Sequence, residues 1–100
     1  MNKPLLQLYI TGLTPRSERA IANLRRICEE RLDGQYEMVI IDVLERPQLA
    51  EDERILVTPT LIKPLPLPPR RVIGDLSDME QVIAELDLRP FTSPVNERSE

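Results

Sequence analysis

The sequence has no histidine, one cysteine, three glycines and three aromatic residues. Each scarcity removes a class of function. Without histidine, and with Cys28 as the sole thiol, most metal sites and most nucleophile–base pairs lack their side chains. A single cysteine cannot form an intrachain disulfide. Three glycines are too few for a glycine-rich phosphate loop. With only Tyr9, Tyr36 and Phe91 there is no base-stacking platform, and the core must be aliphatic. Excess positive charge is missing as well. Against 13 basic residues stand 17 acidic ones, a net charge of −4, which disfavours non-specific nucleic-acid binding. No apolar run is long enough to span a membrane, and no segment has the layout of a signal peptide. The expectation is a cytoplasmic protein that needs no cofactor and binds neither nucleic acid nor membrane.

What is present suits one domain. The 100 residues are 41% hydrophobic and 30% charged, enough for a modest core. "LLQLYIT" (Leu5 to Thr11) reads as a strand with two mostly apolar faces, hence a central one covered on both sides. Thr14-Pro15 starts a helix, with Thr14 as cap and Pro15 at the first helical position. Ile21, Leu24, Ile27, Cys28 and Leu32 form its apolar stripe, and Gly34 closes it. Tyr36 to Leu44 reads as a second strand, apolar almost throughout as a buried parallel strand is. The three elements make a βαβ unit.

Pro47 opens a second helix in "PQLAEDERIL". Thr60 to Leu65 and Arg70 to Ile73 read as short antiparallel strands joined by "LPLPP", with Pro64 confining the first to an edge or ending it early. Ser77 to Glu80 has the spacing of a capping box, with Ser77 as cap and Glu80 reaching back. Met79, Val82, Ile83 and Leu86 would then face inward along a last helix. The resulting order, β-α-β-α-β-β-α, predicts an α/β domain over residues 1–89 with helices on both faces of a mixed sheet. Residues 90–100 read as a disordered tail.

This order and size resemble the thioredoxin-like fold. In that fold a cis-proline stands where "VTPT" places Pro59, and a redox member also needs Cys-x-x-Cys after the first strand. Here that place reads "TGLTPRS". Cys28 falls on the apolar helix face, where cysteine serves as a small hydrophobe. Asp42 and Asp75 follow strands but make a poor acid–base pair, and no enzyme is expected. Proline is the residue in surplus: five of ten fall between Pro59 and Pro69. They hold Arg70 and Arg71 on a stiff segment, which reads equally as a recognition surface or as a solvated hairpin end.

The block "IDVLERPQLAEDERILVTPTLIKPLPLPPRRVIGDLSD", with "LYITGLTPRSERAI" before it, resembles the KaiB family of circadian clock proteins over roughly residues 5 to 88. The resemblance implies a non-catalytic adaptor. Family members dock on the N-terminal ring of the hexameric ATPase KaiC, recruit KaiA, compete with a sensor domain of the histidine kinase SasA and engage CikA. It also implies metamorphism: the C-terminal half adopts either a ground-state packing, usually tetrameric, or a thioredoxin-like monomer that binds KaiC. Basic surface for KaiC would come from Arg19, Arg54, Lys63, Arg70 and Arg71. Gln7 and Val39 stand where the family often has lysine.

Pro59, Pro66, Pro68, Pro69, Glu85 and Asp87 fall in the turn and fold-switching half. Clock members often read "IGLD" where this chain has "AELD" (Ala84 to Asp87). Glycine costs a helix about 1 kcal/mol, so Glu85 tilts the expectation toward the thioredoxin-like monomer over a dimer or tetramer. A second reading is a noncanonical homologue serving a histidine kinase or a stress-response partner. A degenerate redox enzyme, with Cys28 as its only handle, ranks last.

Overall fold

The computed structural model describes residues 3–88. Seven elements follow one another: β1 (Leu5–Ile10), α1 (Pro15–Arg31), β2 (Glu37–Asp42), α2 (Pro47–Asp52), β3 (Thr60–Leu65), β4 (Arg70–Ile73) and α3 (Met79–Leu86). The strands form one sheet in the order β2-β1-β3-β4. β1 runs parallel to β2 and antiparallel to β3, and β3 is antiparallel to β4. The expected mixed sheet with a central first strand is what forms. The tail expected from residue 90 lies outside the described residues.

Strand alternation divides the core into two layers. Leu6, Leu8 and Ile10 of β1, Leu61 of β3 and Val72 of β4 pack on one face against Ala20, Leu24, Ile27 and Cys28 of α1 and Val82 and Leu86 of α3. On the other face, Tyr9, Ile41 and Ile62 gather under Leu49 of α2 and Ile55. Burying each large aliphatic side chain contributes about 1.5–3 kcal/mol, so the layer under α1 and α3 carries most of the stability.

Several local expectations need correction. β2 is an edge strand, not a buried one. Only Ile41 is buried, Met38 and Ile40 are half-covered, and Val39 is exposed. Its ends fray to Glu37 and Asp42 because β1 offers partners only from Leu5 to Ile10. α2 stops at Asp52, short of Ile55, whose N–H instead bonds the carbonyl of Ala50 at 2.9 Å. The turn after α1 begins one residue before Gly34, with Asp33 already left-handed at φ 51°.

Pro64 neither ends β3 nor sits on an edge. Between the pairs Gln7↔Ile62 and Leu5↔Leu65, β3 advances three residues while β1 advances two. That bulge holds the proline, where a missing N–H disturbs no ladder bond.

The last helix is capped differently from the capping-box reading. Asp78, not Ser77, accepts from the N–H of Gln81 at 3.1 Å. The N–H of Ser77 is taken by Asp75 Oδ1 at 3.1 Å. Glu80 does not reach back; it pairs with Arg31 of α1. The inward set is as expected, with Val82 and Leu86 buried and Met79 and Ile83 packed alongside. Asp87 ends the helix in the left-handed conformation at φ 55°.

Candidate functional site

At the C-terminal ends of β1 and β2, three loops meet. Thr14 caps α1, accepting from the N–H of Ser17 at 3.1 Å, with Pro15 opening the helix. Asp42 Oδ1 accepts from the N–H of Gly12 at 3.1 Å and of Leu44 at 2.9 Å, so it serves as a fastener and not as half of an acid–base pair. Gly12 has φ 65°, a conformation that favours glycine. The third loop turns at a cis Thr58–Pro59 bond, as "VTPT" leads one to expect. Leu65–Pro66 and Leu67–Pro68 are also cis, which the sequence did not announce.

Where a redox member would face its cysteine pair toward the cis-proline, the hydroxyls of Thr11 and Thr58 are hydrogen-bonded at 2.7 Å. Cys28 lies elsewhere, fully buried in the α1 layer. Burial, with the neighbouring Glu29 carboxylate, pushes its thiol up to about 12. It is therefore protonated at neutral pH and shielded from solvent, the opposite of a reactive cysteine.

The residues expected to bind a partner do not form one patch. Val39, Gln7, Ile62 and Arg71 make a transverse row, since Gln7 pairs with both Val39 and Ile62, and Ile62 with Arg71. This row lies on the α2 face, beside a groove of ≈ 510 Å³ lined by Gln7, Val39, Ile41, Arg46, Leu49 and neighbours. Arg71 is not simply presented. It donates to the carbonyl of Glu53 at 2.9 Å and lies 4.0 Å from the Glu53 carboxylate, which fixes the end of α2 against β4, with exposed Arg54 next in the chain.

Arg70 is exposed one position along β4 and so points to the opposite face. Arg19, on α1, is 3.6 Å from Asp75. Lys63 is 2% exposed, its ammonium donating to the carbonyl of Pro66 at 2.9 Å, so it braces the proline-rich connection from inside. Of the fold-switching set, Pro59 is buried, Pro68 and Pro69 are exposed, and Glu85 sits on the exposed side of α3, accepting from Gln81 at 3.3 Å.

Asp75 is held below the usual carboxylate range, first by a hydrogen bond with the side chain of Ser77 and then, against desolvation, by the Ser77 N–H, the charge of Arg16 and a hydrogen bond from Arg19. Its carbonyl accepts from Asn23 at 2.8 Å, so the turn before α3 is tied to α1.

Sequence reasoning passed over the exposed apolar side chains of these loops. Leu13, Leu44, Leu56 and Val57 all project from them. The signal was available in Leu13, which breaks the otherwise polar character of the first loop.

Sheet order, helix placement and the cis-proline turn define a thioredoxin-like domain from which the cysteine pair is missing. Solved structures agree on the fold. The N-terminal domain of Synechococcus elongatus SasA is similar with a TM-score of 0.69 and 26% identity, covering 93% of this chain and 91% of that one. Chloroplastic thioredoxin z is similar with a TM-score of 0.66 and 23% identity, covering 85% and 79%. The chain belongs to the KaiB family: its residues 7–88 match the KaiB domain. Among relatives, the circadian clock protein KaiB3 of a Synechocystis strain is 59% identical over 90% of this chain and 88% of its own length. The circadian clock oscillator protein KaiB of Synechococcus elongatus is 56% identical over 84% and 82%. No helix among the described residues is long and apolar enough to cross a membrane.

Proposed function

We propose that this chain is a non-catalytic, cytoplasmic clock adaptor that docks on the N-terminal ATPase ring of a KaiC-type hexamer and helps regulate its phosphorylation cycle. The observation that carries the reading is family membership at 56–59% identity to clock proteins across nearly the whole chain, together with a thioredoxin-like packing already assembled. Arg71 and Arg54 lie beside the end of α2, and Arg70 extends basic character to the opposite face of β4 at the sheet edge. Guanidinium groups there suit carboxylates on an acidic partner surface. KaiA, SasA-like and CikA-like proteins are the further partners this role implies. Because α3 is a capped helix with Glu85 in its interior, the thioredoxin-like monomer is the working state and exchange with another packing is a minor event.

The test is binding of the purified chain to a KaiC-type hexamer and to its isolated N-terminal ring, followed by fluorescence anisotropy. Rapid association is expected, with Arg70→Glu/Arg71→Glu weakening it about tenfold or more. Absence of binding at tens of micromolar, or a phase lasting hours that is independent of partner concentration, would count against this reading.

One observation favours a second reading. The middle of the docking face carries Gln7 and Val39 side by side, so it presents no charge where the family often presents lysine. A noncanonical homologue serving a histidine kinase or a stress-response partner fits that surface. Affinity capture from the native host that recovers such a partner and no KaiC-type ATPase would decide for it.

A further inference from the structure

Val39, Gln7, Ile62 and Arg71 cross the sheet as one row, and Arg71 is its only charged member. Its guanidinium is held from inside the chain. Nη2 donates to the main-chain carbonyl of Glu53 at 2.9 Å, and the carboxylate of the same Glu53 lies 4.0 Å from that nitrogen. The first contact is a hydrogen bond; the second is too long for one and acts as an ion pair. Of Arg54, Arg70 and Arg71, Arg71 alone has an acidic partner within 4.0 Å among the described residues. Buried Tyr9 lies close to both groups. Its phenol is pushed up first by burial and then by the Glu53 carboxylate, while Arg71 pulls it down.

Two parts of one residue therefore act on Arg71 in opposite senses. The fold fixes both partners: Arg71 pairs with Ile62 across β3 and β4, and Glu53 ends α2 with its N–H bonded to the Leu49 carbonyl at 3.0 Å. A guanidinium has several N–H donors, yet among the described residues only Nη2 of Arg71 donates. Both side chains are exposed, so the remaining donors face solvent. The Glu53 carbonyl orders the arginine in advance, which removes part of the entropy cost of binding. The Glu53 carboxylate offsets the charge that an acidic partner needs and repels an incoming carboxylate.

We propose that Glu53 sets specificity at the docking face: its carbonyl positions Arg71, and its carboxylate is a built-in competitor that a partner carboxylate must displace. This role rests on the reading that the face containing Arg71 docks an acidic partner. Diffuse negative charge gains little there, because it exchanges one loose ion pair for another. A carboxylate that meets the guanidinium with both oxygens gains hydrogen bonds that the Glu53 carboxylate, at 4.0 Å, does not make. The face thus favours a partner whose Asp or Glu is held in place opposite Arg71, and the competitor discriminates against others.

The test compares the full chain with Glu53→Gln, Glu51→Gln, Arg71→Gln and the double variant Glu53→Gln/Arg71→Gln, in binding to a KaiC-type hexamer followed by fluorescence anisotropy. Glu53→Gln keeps the carbonyl and removes the competitor. It should bind about threefold tighter or more, since an exposed ion pair is worth up to about fivefold, and the gain should shrink as salt is added. Glu51→Gln removes the same charge from another exposed position of α2 and should stay close to wild type. In the Arg71→Gln background, Glu53→Gln should bring no gain. The urea midpoint of Glu53→Gln should match wild type, whereas a merely structural role would move it. A second arm needs no hexamer: an acetylated, amidated tri-glutamate peptide is titrated into the isotope-labelled chain and followed at the Arg71 amide, where Glu53→Gln should saturate at lower peptide concentration than wild type. The proposal is overturned if wild type docks and Glu53→Gln shows no gain, if the gain persists without Arg71, or if both chains bind the peptide equally. If the hexamer does not bind but the peptide still separates Glu53→Gln from wild type, the docking role falls and the competitor role of Glu53 holds.

Discussion

Replacing Asp42 with alanine removes one oxygen that two loops share. Asp42 Oδ1 accepts from Gly12 N–H at 3.1 Å and from Leu44 N–H at 2.9 Å. A hydrogen bond to a charged group contributes about 1.5–3 kcal/mol net. The lower end applies here, because Asp42 is half-buried and water can reach the released N–H groups. Two such bonds sum to about 2–3 kcal/mol, which for a domain of this size lowers Tm by roughly 10–20 °C. Asp42→Asn keeps a neutral acceptor and should lose only about 1 kcal/mol. Urea unfolding followed by far-ultraviolet circular dichroism gives the energies, and amide exchange at Gly12 and Leu44 gives the local effect. The order wild type, Asn, Ala is expected in both. If Asp42→Ala lies within about 0.5 kcal/mol of wild type and both amides stay protected, the fastener reasoning is wrong.

Other consequences are equally open to measurement. Cys28, with its thiol pushed up to about 12, should react with a disulfide reagent at pH 8 only as fast as the protein opens, and rapid native-state labelling would contradict its placement. Cys28→Ser, which puts a hydroxyl in an apolar layer, should cost about 1–3 kcal/mol in urea. Asp78→Ala should cost about 1 kcal/mol and Ser77→Ala much less, the reverse of what a Ser77 cap requires. Asp75 has its carboxyl lowered, so its contribution is complete above the unfolded carboxylate pKa near about 4 and fades as pH falls through the lower folded value; the stability gap between wild type and Asp75→Asn should close on acidification, and a gap that widened would reverse the sign. Glu85→Gly should cost α3 about 1 kcal/mol, visible as faster amide exchange from Val82 to Leu86.

Much of this architecture could be read from residues. Thr14-Pro15 has one conformational meaning, and the structure uses it. Thr60 to Leu65 was legible because Pro59 and Pro66 fence it, and Arg70 to Ile73 because it lies between Pro69 and Gly74. Failures came where two local solutions cost the same. Ser77 and Asp78 can both cap a helix, and the choice was made by Arg31 drawing Glu80 away and Asp75 taking the Ser77 N–H. The apolar run of β2 looks like an interior strand, but nothing in the run states that no strand lies beyond it. Lys63 shows the same limit at the site. A basic residue beside prolines reads as surface, and only the folded chain brings the Pro66 carbonyl to its ammonium.

The placement of β1 has a consequence for how the domain comes apart. β1, α1 and β2 close on themselves through a continuous parallel ladder. β3, β4 and α3 join that unit along one seam of strand pairing, from Leu5↔Leu65 to Tyr9↔Thr60, with α3 packed in the same core layer as α1, and no later strand returns to lock the seam from outside. Opening it releases one contiguous C-terminal piece and leaves the N-terminal piece hydrogen-bonded as before. The molecule therefore has a built-in parting line, and partial unfolding should run along it as one cooperative step, exposing Leu8 and Leu61 together while Ile40 stays paired.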